Sequence, residues 1–228
     1  VARGDRILEI DGEDFVNGDN VAALNDGLFP NDGDTHNFLI SSFDGTQERM
    51  VTMTAAALTI DPVPITNVIA TPQGPVGYLY FVSYLNTSEK ALVDAFNSFE
   101  AAGITELIID VRYNNGGLLD IANQLAYMIA GPAAAQGRIF DELVFNDKHP
   151  NTNPVTGAAL SPTNFITTTR GFSVLAGNPL PRLNLSRVYL LVGPGTASAN
   201  ESVINSLLGI DFEVILVGER TTGKPYGF

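Results

Sequence analysis

The chain has 228 residues, enough for one large domain or two smaller ones, and 45% of them are apolar, enough for a real core. Lys plus Arg number 12 against 25 Asp plus Glu, a net charge of −13, which argues against nucleic acid or an anionic membrane as partner. The absence of cysteine excludes disulfides, zinc-thiolate sites and cysteine catalysis, and no run reaches the roughly 18 apolar residues of a membrane helix.

The opening VARGDRILEI alternates polar and apolar residues and reads as a strand already under way rather than as a signal peptide. Residues 1–58 read as a small β-rich unit. Asp11-Gly12 marks a turn, and Asp19 and Asn20 can cap a short helix over VAALNDGLF. HNFLISSF and ERMVTMTA then form a hairpin around Asp44-Gly45. Residues 59–76, rich in proline and threonine, read as a connector.

From residue 77 strands and helices alternate, which predicts α/β construction. GYLYFVSY is a strand, and SEKALVDAFNSFEAAG a helix capped by Ser88 and ended by Gly103. ELIIDVR is a strand and LLDIANQLAYMIAG a second helix. RVYLLVG leads through a turn at Ser198 into a third helix, and FEVILVGE closes the series. The runs LIID, VYLLV and VILV are continuously apolar, which predicts a largely parallel sheet buried on both faces. Residues 146–170 form a long polar stretch without a period, read as a lid, a binding loop or a mobile segment.

In open α/β sheets, sites form beyond the carboxyl ends of the strands. Three strands here end in unusual turns: Tyr113-Asn114-Asn115-Gly116-Gly117, then GPGTASANES around Ser198, then Arg220-Thr221-Thr222-Gly223-Lys224. Parallel neighbours would bring them together on one edge. Ser198 then stands at the start of a helix, where free N–H groups and the dipole favour negative charge. An oxyanion could be held there by the N–H of Ala199 and one from Gly116 or Gly117. The flanking alanines would leave room for substrate. The same serine also fits a plain helix N-cap.

A nucleophilic serine needs a base. Only two histidines exist: His36 lies in the small unit and His149 in the long loop. Lys224 fits better, because it follows an apolar strand in a glycine-rich turn, and shelter from water favours the neutral amine. A phosphate-loop reading of GERTTGK lacks the following Ser or Thr and an ensuing helix.

These residues resemble the C-terminal processing, or tail-specific, serine peptidases. DVRYNNGGLL is similar to that family's D-L-R-x-N-x-G-G segment, GTASANES to its S-A-S-A-S-E turn, and LVGERTTGKPYG to its V-G-E-x-T-x-G-K segment. The Ser-to-Lys interval of 26 residues is close to the family's. The resemblance implies a crotonase/Clp-like core over 59–228, preceded over 1–58 by part of a PDZ domain whose carboxylate-binding loop would lie before Val1. It implies Ser198 as nucleophile, Lys224 as general base, no metal or cofactor, and polypeptide substrates with a free C-terminus. It also implies a bacterial cell-envelope, periplasmic or secreted location. Asn200 stands where the family has a serine, and Phe228 where a glutamine commonly orients the lysine. Two other functions remain open: a peptide-binding protein on the same fold without catalysis, and an acyl-thioester enzyme of crotonase-like architecture.

Overall fold

The computed structural model describes residues 1–2 and 4–224, and the chain divides into two compact units, Val1–Ile60 and Asp61–Phe228. The first is a four-stranded antiparallel sheet in the order β2-β1-β3-β4, with one helix. β1 (Arg6–Ile10) turns at Asp11-Gly12 into β2 (Glu13–Asp14). The turn residues have φ of 50° and 85°, the left-handed geometry that a two-residue hairpin loop demands and Asp-Gly supplies. α1 (Val21–Leu28) starts at Asn20, whose side chain accepts from the Ala23 N–H at 3.2 Å. β3 (Thr35–Ser41) and β4 (Glu48–Thr54) form the expected hairpin. Ile10, Phe38 and Ile40 make the small core, and His36 Nδ1 is paired with Asp11 at 2.6 Å across the first turn.

The second unit holds a five-stranded sheet in the order β11-β10-β7-β6-β5. Its first strand corrects an expectation. Residues 59–76 are no connector: β5 (Ile65–Thr71) pairs antiparallel with β6 (Gly74–Tyr80) through a turn at Pro72-Gln73. β5 is an edge strand, exposed along nearly its whole length, so it carries no core pattern, and the prolines around it disguised it.

α2 (Ser88–Ala102) follows. Ser88 is its first residue rather than its cap; the hydroxyl instead donates to the Ser83 carbonyl at 2.7 Å. Gly103 ends the helix as expected, in the left-handed region at φ 62°. β7 (Glu106–Asp110) leads into α3 (Leu119–Ala135), which breaks at Gly131, φ 71°, and restarts at Pro132. β8 (Ile139–Asp141) and β9 (Thr163–Asn164) form a short separate ribbon. The long polar stretch is therefore irregular apart from this two-residue strand. Asn123 ties its end down, accepting from the Ile166 N–H at 2.7 Å and donating to the Asn164 carbonyl at 3.0 Å. β10 (Arg187–Val192), α4 (Ala199–Gly209) and β11 (Glu213–Gly218) complete the unit. β6, β7, β10 and β11 are parallel.

The expectation of burial on both sheet faces is also corrected. Leu79, Leu107, Ile109, Val188 and Leu190 point into one core with Leu92, Phe96 and Phe99 of α2, Ile121 and Leu125 of α3, and Val203 and Leu207 of α4. The alternate residues Tyr78, Ile108, Tyr189, Leu191 and Ile215 stay half-exposed. All three helices cover the same face, so the continuous apolar runs overstate the burial.

Leu107 is fully buried in the middle strand. Leu107→Ala removes most of that side chain from a packed site and should cost about 2–5 kcal/mol, read as a fall in the urea midpoint.

Candidate active site

The parallel pairing of β7, β10 and β11 carries three chain turns to one edge of the sheet. The serine turn lies in the middle, with the glycine turn after β7 on one side and the lysine turn after β11 on the other. Backbone bonds lace them together: Ala197 N–H donates to the Asn114 carbonyl at 3.3 Å, and Thr222 N–H to the Thr196 carbonyl at 2.9 Å. The Thr196 hydroxyl donates to the Val111 carbonyl at 2.8 Å and accepts from Gly193 N–H at 3.0 Å. The three turns expected from sequence are thus neighbours.

Ser198 is the N-cap of α4, but its backbone is not that of an ordinary cap. Its φ is 58° and ψ −115°, whereas a cap usually sits in the extended region. A non-glycine residue in this conformation stores on the order of 1–3 kcal/mol of strain, which persists only where surrounding bonds over-determine it. The tight strand-to-helix turn lifts the half-buried side chain at the helix N-terminus, where Lys224 Nζ lies 3.5 Å from Ser198 Oγ.

The bond that holds this geometry comes from Glu201, which the sequence reading passed over. One carboxylate oxygen accepts from Ser198 N–H at 2.9 Å and Lys224 N–H at 3.0 Å; the other accepts from Gly223 N–H at 2.6 Å and the Thr221 hydroxyl at 2.8 Å. One side chain therefore fixes the backbones of both chemical turns. Burial alone would raise the Glu201 pKa, but the four donated bonds outweigh it and hold the carboxyl below the usual range. A signal for it was present: Ser198-x-x-Glu201 matches the S-x-x-E capping box.

Gly116 packs against Ser198. A Cβ there would lie 2.7 Å from Ser198 Cβ and 2.9 Å from Ala199 N, so only glycine allows the approach. Its φ of 100° is also outside the ordinary range. Gly116 is buried and its N–H donates to Asn114 Oδ1 at 2.9 Å. Gly117 is exposed and bridges Tyr84 in parallel. That bridge uses the Gly116 carbonyl and the Leu118 N–H, which leaves the Gly117 N–H facing the other way. Ala199, as the first residue of α4, has its N–H at the open helix end. Its methyl is wholly buried in the main core, so its small size answers to packing rather than to substrate room.

Asp110 and Arg112, at the start of the glycine turn, form a two-point ion pair at 2.9 and 2.6 Å, and Tyr78 OH donates to Asp110 at 3.1 Å. This brace closes the end of β7. His36 belongs to the Val1–Ile60 unit and is bound to Asp11, while His149 sits in the turn at 147–150. Phe228 lies outside the described residues. Among the described residues, no group of three or more His, Asp and Glu could hold a metal ion, and no helix is long and apolar enough to cross a membrane.

Comparison with known proteins identifies the family and the fold. The family model of peptidase family S41 matches residues 75–227. The chloroplastic C-terminal processing peptidase of Tetradesmus obliquus is 26% identical over 232 residues, which cover 97% of this chain and 44% of that protein. A Bacteroides fragilis structure assigned to the S41 proteases is 26% identical, with a TM-score of 0.63 over 98% of this chain and 55% of its own. The photosystem II D1 C-terminal processing protease shares the fold at 21% identity, with a TM-score of 0.58 over 97% and 52% of the two chains. The chain spans about half the length of these relatives.

Glu201→Gln should lower the melting temperature at neutral pH, because an amide cannot accept all four bonds. The pH dependence follows from the depressed pKa. The carboxylate's contribution is present above about pH 4.3, the unfolded value, and is lost as pH falls through the folded one. Acid melting curves should show this loss in the parent and a smaller one in the variant.

Proposed function

Because the chain belongs to peptidase family S41, we propose that it is a serine endopeptidase cutting near the C-termini of unfolded or tagged proteins. The observation that carries the reading is the approach of Lys224 Nζ to Ser198 Oγ at an open helix N-terminus. Lys224, as the neutral amine, takes the hydroxyl proton while Ser198 Oγ attacks the peptide carbonyl. Their 3.5 Å separation must close to about 3.2 Å or less for proton transfer. The tetrahedral oxyanion lies against the Ala199 N–H and an N–H of Gly116 or Gly117. The Gly117 N–H faces away from the Tyr84 bridge, whereas Gly116 would have to share its proton with Asn114. Such a donor is worth about 3–4 kcal/mol in the transition state.

Collapse expels the amine, which receives the proton from the Lys224 ammonium and leaves an ester on Ser198. Lys224 then deprotonates a water, which attacks the ester and releases the acid product. Glu201 keeps the two reacting side chains on a common frame. No step calls for a metal or an organic cofactor. The Val1–Ile60 unit acts as a PDZ-like partner, adding the tail of the substrate as a strand at its sheet edge. By resemblance the protein works outside the cytoplasm.

The test is incubation with a disordered polypeptide bearing an apolar C-terminus, with products read by mass spectrometry. The parent should cleave, and Ser198→Ala and Lys224→Ala should each be slower by roughly 10³-fold or more. Equal cleavage by Ser198→Ala would overturn the assignment. Binding without cleavage by all three proteins would favour a peptide-binding protein instead.

A further inference from the structure

We propose that Asn200 is a positioning residue that sets the oxyanion-binding backbone through Asn114, with Tyr84 as its fixed support; the inference rests on the peptidase reading. All three side chains are buried, with exposures of 2% for Asn200, 0% for Asn114 and 1% for Tyr84. Asn200 Nδ2 faces three oxygens: the Asn114 carbonyl at 2.7 Å, Asn114 Oδ1 at 3.1 Å and the Ala197 carbonyl at 3.2 Å. Its own Oδ1 accepts from Tyr84 OH at 2.9 Å. Burial pushes the tyrosine pKa well up, so the hydroxyl remains a donor. Asn114 passes the constraint on: Oδ1 accepts from Gly116 N–H at 2.9 Å, and Nδ2 donates to the Phe81 carbonyl at 3.1 Å.

The chemistry of the position is narrow. It requires two donors on one side and an acceptor on the other, within a side chain long enough to span the first turn of α4 and the glycine turn. Aspartate presents an acceptor to three acceptors. Serine is too short to reach both Tyr84 and Asn114. Leucine leaves buried polar groups without partners.

Tyr84 holds the same turn a second time through its backbone. Its N–H donates to the Gly116 carbonyl at 3.2 Å, and its carbonyl accepts from Leu118 N–H at 2.9 Å. The ring is braced edge-on against Phe81 at 4.5 Å between centroids. Gly116 and Gly117 are therefore set relative to Ala199 by one connected polar cluster. Asn200 rides on the same helix turn as Ala199, so a change at Asn200 displaces one wall of the oxyanion site and leaves the other in place. That displacement acts on the transition state rather than on peptide binding.

The experiment compares the parent, Asn200→Ser, Tyr84→Phe and the double variant in steady-state peptide hydrolysis. In parallel, deuterium exchange is followed over peptides spanning 113–118. Asn200→Ser should lower kcat roughly 10- to 100-fold, as expected for a misplaced donor, with KM within about two-fold. Tyr84→Phe should lower kcat less, and the double variant no further than Asn200→Ser alone, since both changes interrupt one path. Exchange over 113–118 should accelerate while the rest of the chain exchanges as in the parent. A parent-like kcat in Asn200→Ser, or a loss carried wholly by KM, overturns the proposal. If Asn200→Ser does not fold, Tyr84→Phe, which keeps the ring and loses one bond, decides on the same two readouts. If the parent cleaves no peptide, the peptidase reading fails; faster exchange over 113–118 would still support Asn200 as the holder of this turn, and unchanged exchange would overturn it.

Discussion

One carboxylate, that of Glu201, ties the backbone of Ser198 to the backbone of Lys224. Its four bonds join the serine turn to the lysine turn. Parallel strand pairing brings the two turns to the same edge, but the ladder ends at Val192 and Gly218, and beyond it only a few bonds, such as Thr222 N–H to the Thr196 carbonyl, join the two chains. Ser198 adopts a conformation that a free chain would avoid, and Lys224 sits six residues past its strand. A side chain accepting from both backbones adds to these few bonds where the ladder has ended. A charged acceptor suits this role, because bonds to an ionised partner are roughly twice as strong as neutral ones.

The glycine turn is held by different means. Asp110, Arg112 and Tyr78 fix its start, and Asn114, Asn200 and Tyr84 fix its middle from within. Buried amides are expensive unless fully bonded, and here each has partners at both ends. The result is a well-braced backbone wall against Ser198. Rigidity is what oxyanion binding requires, since donors that must first reorient give up part of their advantage.

Much of this was readable in the residues, for identifiable reasons. Glycine and apolar runs report backbone geometry, so the end of α2 at Gly103, the Asp11-Gly12 turn and the gathering of three turns by parallel strands could be anticipated. β5 was missed because an edge strand exposed to water has no burial pattern to display. Double-faced burial was expected because an apolar run records what a residue tolerates, not how many helices arrive to cover it. The full roles of Glu201 and Asn200 are not legible for another reason: beyond the local capping box, both are ordinary polar residues whose further partners lie 20 to 116 positions away along the chain. The small Ala199 was read as clearance for a ligand, but its neighbours are core side chains.

The order of the three turns along the chain has a consequence for biosynthesis. Translation produces the oxyanion turn first, the serine next and the lysine last. β11, which delivers the lysine, is a sheet edge held by β10 alone. An edge strand is among the first elements to detach and the last to dock. A growing chain therefore lays down the serine turn before the strand that carries Lys224 can dock. The approach of Lys224 to Ser198 accordingly depends on the docking of one strand.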